Sequence, residues 1–251
     1  MKISFLPSMF TMFSLFLGYL ALIQVIKGNF TAAVYFITGG VILDGFDGTV
    51  ARLTKTESNF GVQLDSLVDA VTFGAVSATL IYFWGFKAEY YQIGKVIGFL
   101  FLSAGVIRLA RFNVLKEVNA VPANIFIGLP IPVAALSVCS VVLIFEDPLV
   151  NKLDIVGFAI YVILIALLMI SNIKYRTLKK IRPKHSLPIL FFLAIIVAFL
   201  INFPSYTIPL VTFLYLVSPL LFYIAGKFKK AKEPVTIDVQ SIPDRRGNTD
   251  T

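Results

Sequence analysis

Four aspartates stand where a carboxylate is costly. Asp44, Asp47, Asp65 and Asp69 lie within or at the ends of long apolar stretches of the chain. An ionised Asp at the centre of a lipid-embedded helix costs about 2.5–3.5 kcal/mol even on the mildest scales, so a group kept there is functional and paired. Asp44 and Asp47 are three residues apart, and Asp65 and Asp69 four, so each pair shares one face of a helix. The two stretches are joined by the short link Lys55-Thr56-Glu57-Ser58, which makes them antiparallel neighbours. Folded about residue 56, the hairpin sets Asp47 opposite Asp65 and Asp44 opposite Asp69. At 1.5 Å of rise per residue they lie ~14–20 Å from its tip. Four carboxylates at one depth demand a cation. With no His or Cys beside them, a cage of hard oxygens suits Mg²⁺ or Mn²⁺ rather than zinc. Turn chemistry is the bland alternative, since Asp44-Gly45 and Asp47-Gly48 are turn-like dipeptides. It accounts for single residues, not for two facing pairs with a common midpoint.

The surrounding residues extend the pattern. Gly48 and Ala51 continue the face of Asp44 and Asp47, and Gly61 that of Asp65 and Asp69, so little side-chain bulk lies beside the carboxylates and a flat ligand can approach the backbone. Arg52 can pair with a phosphate oxygen; an ordinary anchor at the membrane edge would look the same. Arg108 and Arg111, at i and i+3 with Asn113 close by, could pair with a ligand's carboxylate. Anchoring of a helix end is again the alternative. The single His185 sits in a basic stretch beside Pro188 and reads as a solvated loop residue, and the single Cys139 cannot form an intrachain disulfide.

The elements that carry these residues must live in lipid. The chain of 251 residues is 58% hydrophobic and 14% charged, with a mean hydropathy of +0.87, outside the range of soluble domains. Stretches of about 20 apolar residues, the length that crosses a bilayer, can be marked at 5–26, 31–53, 60–85, 92–113, 128–146, 153–173, 187–204 and 206–226. We therefore expect an all-α polytopic membrane protein of about eight helices. The last pair could instead be a re-entrant hairpin kinked at Pro204. The first run is too long for a signal peptide and no cleavage site follows it, so it reads as an uncleaved helix. Gly128-Leu129-Pro130-Ile131-Pro132 reads as the start of the fifth helix. All but Lys27, Lys87, Lys95 and Lys152 of the 22 Lys and Arg residues fall on the side of the N-terminus, which sets both termini in the cytoplasm. The net charge of +8 then reflects topology and anionic lipid headgroups, and no nucleic acid partner is expected. From Lys227 to Thr251 the chain is polar, without apolar period, and reads as a disordered tail.

Residues 44–69 read DGFDGTVARLTKTESNFGVQLDSLVD, a gapless match to D-x-x-D-G-x-x-A-R-x8-G-x3-D-x3-D. This resembles the signature of the CDP-alcohol phosphatidyltransferases. LDSLVDAVTFGAV (64–76), IRLARFNV (107–114) and GLPIP (128–132) resemble the phosphatidylserine synthase branch of that family. The resemblance covers roughly 5–173, and the family's Pro-Asn near the start of helix one is Pro7-Ser8 here, with Thr11 kept. It implies a six-helix core over 1–173, a basic cytoplasmic loop at 174–186, an added helix pair at 187–226 and the tail at 227–251. It further implies that Asp44, Asp47, Asp65 and Asp69 hold two divalent ions, with Asp69 also the general base. Gly48, Ala51, Arg52, Ser58 and Gly61 would line the site for CDP-diacylglycerol. The acceptor would be L-serine and the assembly a homodimer in the cytoplasmic membrane.

Other readings of the same residues remain at this point. Glycerol 3-phosphate or inositol phosphate as acceptor would ask for more basic residues than Arg108 and Arg111. An intramembrane prenyltransferase would carry its Asp motifs on distant helices. A divalent-cation transporter would leave Gly48, Ala51, Arg52 and Gly61 without a purpose.

Overall fold

Lipid offers the backbone no hydrogen-bond partner, so an apolar chain resolves into helices whose N–H and C=O groups pair internally. The computed structural model describes residues 5–53, 59–86, 88–117, 125–176, 195 and 197–232, with 5–7, 47–53, 88, 125, 176 and 221–232 described by backbone alone. In chain order come α1 (Phe5–Ile26), α2 (Phe30–Leu53), α3 (Asn59–Asp69), a π-helical segment (Ala70–Ala75), α4 (Val76–Gly85), a 3₁₀ turn (Ala88–Tyr90) and α5 (Tyr91–Glu117). Then follow β1 (Ile125–Ile127), α6 (Ile131–Phe145), α7 (Lys152–Ile170), β2 (Lys174–Arg176) and α8 (Pro204–Lys232). Ser8–Ile26, Asn59–Gly85, Tyr91–Glu117 and Lys152–Ile170 are long and apolar enough to cross a membrane; Phe30–Phe46, Ile131–Phe145 and Pro204–Leu220 are apolar but shorter among the described residues. The architecture is that of a helical membrane protein.

The first two helices form an antiparallel pair because α1 is stopped cleanly. Gly28, at φ +78°, takes the left-handed conformation open to glycine. The Asn29 and Gly28 N–H groups bond the carbonyls of Gln24 at 2.9 Å and Val25 at 3.0 Å, which satisfies the last turn and reverses the chain. At the centre lies α4, packed against α1, α5, α6 and α7. Its buried Leu80, Ile81 and Trp84 join the core, and Trp84 meets Phe158 of α7 edge-to-face at 5.3 Å.

Three elements depart from expectation. The fifth helix was expected from 128 but α6 starts at Ile131: Gly128 has φ +76° and Pro130 is extended (φ −60°, ψ 138°), so the helix begins only where Pro132 can occupy its first turn. A short antiparallel ribbon, unforeseen in an all-α chain, pairs β1 with β2 in the register Ile125↔Arg176, Phe126↔Tyr175 and Ile127↔Lys174. Strands of three residues carry no periodic signal, and their pairing joins segments nearly fifty residues apart. The tail was expected to be disordered from Lys227, yet α8 continues to Lys232: Lys, Phe and Ala sustain a helix there, and Pro234 follows two residues on. Helical structure at 197–202 gives way to α8 at Pro204, at the break expected from that proline.

Candidate active site

α2 and α3 deliver the carboxylates. One oxygen each from Asp44, Asp65 and Asp69 lies within 4.8 Å of the others. Asp69 is buried, and Asp44 and Asp65 are half-buried. Asp44 faces both Asp65 and Asp69, because residues four apart on α3 turn to the same side. Asp65 Oδ1 is buried and has no hydrogen-bond partner among the described residues. Asp47 follows Asp44 by one helical turn on α2, its side chain outside what is described, as are those of Gly48, Ala51 and Arg52; Ser58 lies outside the described residues altogether. Gly61 is half-buried on α3, four residues before Asp65.

A close-packed joint holds Asp69 in place. The π-helical segment opens directly after it, and such insertions are frequent at functional sites. Thr72, in that segment, is wholly buried between Gly18 of α1 and Gly40 of α2: a Cβ on Gly18 would lie 2.7 Å from Thr72 Oγ1 and 3.0 Å from its Cα, and one on Gly40 3.2 Å from Thr72 Cγ2. The Ser14 hydroxyl donates to the Gly40 carbonyl at 3.1 Å, tying α1 to α2 at the same level. Gly18→Ala is therefore expected to overpack the joint and destabilise the protein by about 1–3 kcal/mol, read as a lowered thermal midpoint in detergent. An unchanged midpoint would mean that α1 is free to shift away.

The two arginines of α5 part company. Arg108 is buried, its guanidinium carbon 5.4 Å from the Phe112 ring centroid and 5.7 Å from that of Phe126. Its charge is within electrostatic reach of Asp69 and Asp44. Arg111 instead closes the end of α7. Its Nη1 donates to the Ile170 carbonyl at 2.7 Å and its Nη2 to that of Ser171 at 2.9 Å, with longer bonds to Met169 and Ile127 at 3.3 Å. The last carbonyls of a helix lack partners of their own, and the planar fork of Arg bridges several of them as Lys could not. Both of its terminal nitrogens are thus engaged by backbone, which leaves Arg108 as the α5 guanidinium within electrostatic reach of the carboxylates. Asn113 is likewise engaged: its amide nitrogen donates to Ser66 Oγ at 2.9 Å, linking α5 to α3 beside Asp65. Ser66, Thr72 and Phe126 were not singled out from sequence. Ser66 lies between two of the aspartates, but nothing in its neighbourhood announces a partner 47 residues away.

Comparison with known proteins places this geometry. The family model described as CDP-alcohol phosphatidyltransferase matches residues 4–225. The chain belongs to the CDP-alcohol phosphatidyltransferase family. The match runs past residue 173 and takes in much of α8. Similar members include the CDP-diacylglycerol–serine O-phosphatidyltransferase of Helicobacter pylori, 38% identical over 182 residues that span 70% of this chain and 73% of the relative. The protein of the same name from Methanocaldococcus jannaschii is 37% identical over 69% of this chain and 75% of its own. The archaetidylserine synthase of Methanothermobacter thermautotrophicus is 36% identical over 68% and 69%. CDP-alcohol phosphatidyltransferases are metal-dependent, and the residues present fit a divalent cation: three hard carboxylates converge, and one of them keeps a buried oxygen with no donor among the described residues. The family's D-x-x-D-G-x-x-A-R signature runs here from Asp44 to Arg52 and its second half from Gly61 to Asp69, so the signature and the carboxylate cluster coincide.

Proposed function

We propose that this protein is a phosphatidylserine synthase, which transfers the phosphatidyl group of CDP-diacylglycerol to the hydroxyl of L-serine and releases CMP. The observation that carries the reading is the convergence of Asp44, Asp65 and Asp69 with the buried Arg108 within electrostatic reach of two of them. An acidic centre alone suits a metal-bound diphosphate. A guanidinium at its edge adds a place for an acceptor's carboxylate. Relatives from bacteria and archaea carry serine in their names whichever lipid those names specify.

Asp44, Asp47, Asp65 and Asp69 would hold the metal, as two Mg²⁺ or Mn²⁺ ions, which would supply charge to offset the diphosphate and the departing CMP. Gly48, Ala51, Arg52, Ser58 and Gly61 line the site for CDP-diacylglycerol. Asp69 accepts the proton of the serine hydroxyl as its oxygen bonds to the phosphorus that carries the diacylglycerol. The phosphoanhydride bond breaks, and CMP leaves with the bridging oxygen. Arg108 holds the serine carboxylate throughout. The signature lies on the cytoplasmic side of the membrane, where basic residues concentrate, and the protein works as a homodimer. The residues proposed for catalysis lie within 1–173; the basic stretch 174–186 opens with β2, and α8 carries the chain to Lys232 before the rest of the tail.

The deciding experiment follows CMP release from CDP-diacylglycerol by purified protein with Mg²⁺ or Mn²⁺. Serine is expected to support release, while glycerol 3-phosphate and inositol phosphate leave it at the level without acceptor. Release that depends on either phosphate and not on serine would overturn the acceptor assignment.

A further inference from the structure

The ribbon has no part in the scheme above, yet it faces the acceptor's arginine. Phe126 and Tyr175 are directly opposed in it, so both side chains project from one face. On that face Phe126 meets Phe112 of α5 at 5.7 Å, and the Arg108 guanidinium carbon lies against both rings, 5.4 and 5.7 Å from their centroids. Tyr175 stacks on Tyr215 of α8 at 5.5 Å with planes 7° apart. Arg108 is 5% exposed, and its Nε finds no partner among the described residues. Aromatic rings stabilise a guanidinium through its flat faces. A carboxylate needs the N–H groups in its plane. Two rings packed against one side of the guanidinium therefore limit its direction without accepting its N–H bonds.

Phe126 is itself held from behind. Arg111 Nη2 donates to the carbonyl of Ile127, the next residue, and to those of Met169 and Ser171. The Gly128 and Leu129 N–H groups bond the carbonyls of Ile173 at 2.9 Å and Leu168 at 3.0 Å. At Gly128 any Cβ would collide with the Met169 carbonyl oxygen, so the strand sits hard against the end of α7. We propose that Phe126 is a positioning residue for the acceptor site: clamped to α7 through Arg111, its ring orients Arg108 and thereby sets the affinity for the acceptor's carboxylate. This rests on the reading of Arg108 as the ligand of that carboxylate.

The test uses full-length protein in phospholipid nanodiscs with Mg²⁺. It compares serine with serinamide, which lacks the carboxylate, in wild type, Phe126→Leu, Phe126→Trp and Arg108→Gln. Phe126→Leu is expected to raise KM for serine about tenfold and to reduce the preference for serine over serinamide by a similar factor. Its kcat should stay within about twofold and its KM for CDP-diacylglycerol should not move. Phe126→Trp, which restores a ring, is expected to recover the wild-type KM. If the leucine variant is not obtained as monodisperse protein, Phe126→Met, equally without a ring, is read in the same way. Loss of serine preference in Arg108→Gln but not in the Phe126 variants would overturn the positioning role and leave the Arg108 reading standing. Undiminished preference in Arg108→Gln would overturn that reading. A fall in kcat with both KM values rising, not recovered by tryptophan, would reduce Phe126 to a packing residue and overturn the proposal.

Discussion

Asp69→Asn is expected to lower serine-dependent CMP release by about 10²–10⁴-fold, the usual contribution of a general base, while CDP-diacylglycerol still binds. The substitution keeps the shape of the side chain and one oxygen, so the close packing around Thr72 is undisturbed; an amide simply cannot accept the acceptor's proton. We propose Asp69 for this role because it is the buried member of the three, where water cannot take the proton in its place, and because it shares electrostatic reach of Arg108 with Asp44. Equilibrium binding of labelled CDP-diacylglycerol in detergent, measured beside turnover, separates the two effects. Turnover near wild type would remove Asp69 from proton transfer. Loss of binding together with turnover would make it a metal ligand first.

Removal of divalent metal is expected to abolish activity and also to change stability in a direction that depends on Asp65. Carboxylate oxygens within 4.8 Å of one another repel, where both are ionised, by at least about 3 kcal/mol at an effective dielectric of 20. A cation that offsets this repulsion stabilises the folded state by about 2.7 kcal/mol at a hundred times its dissociation constant. Mg²⁺ or Mn²⁺ should therefore raise the thermal midpoint of the wild-type protein, and chelation should reverse the rise. Asp65→Asn removes the carboxylate whose Oδ1 has no donor among the described residues. In that variant the metal-dependent rise should vanish, while the metal-free protein is at least as stable as metal-free wild type because one repulsive charge is gone. A metal-free variant less stable than wild type would mean that Asp65 serves packing rather than ion binding. A midpoint indifferent to metal in wild type would dissociate the cluster from divalent cations.

Much of the site was legible because helices translate sequence spacing directly into geometry. Asp65 and Asp69, four residues apart, had to share a face once the segment was helical, and a reversal after α2 set Asp44 opposite Asp69; that Asp44 also approaches Asp65 did not follow from the expected pairing of Asp65 with Asp47. The apolar composition set the solvent, and with it the helical architecture. Less legible were features in which a few residues respond to a distant neighbour. The π-helical segment after Asp69 depends on Thr72 finding room between Gly18 and Gly40, on two other helices. The ribbon brings Ile127 to the end of α7, where Arg111 bridges their carbonyls.

Arg108 and Arg111 mark the boundary. By sequence they are equivalent: one residue type, three apart, on one stretch of one helix. Spacing determined that both look toward the same side of α5. What each does there was decided by tertiary contacts, since Arg111 meets the open carbonyls at the end of α7 and Arg108 meets two rings and an acidic centre. A long side chain with several donors takes its role from whatever acceptors the fold brings within reach. Those acceptors lie up to about sixty residues away along the chain, and no local pattern encodes them.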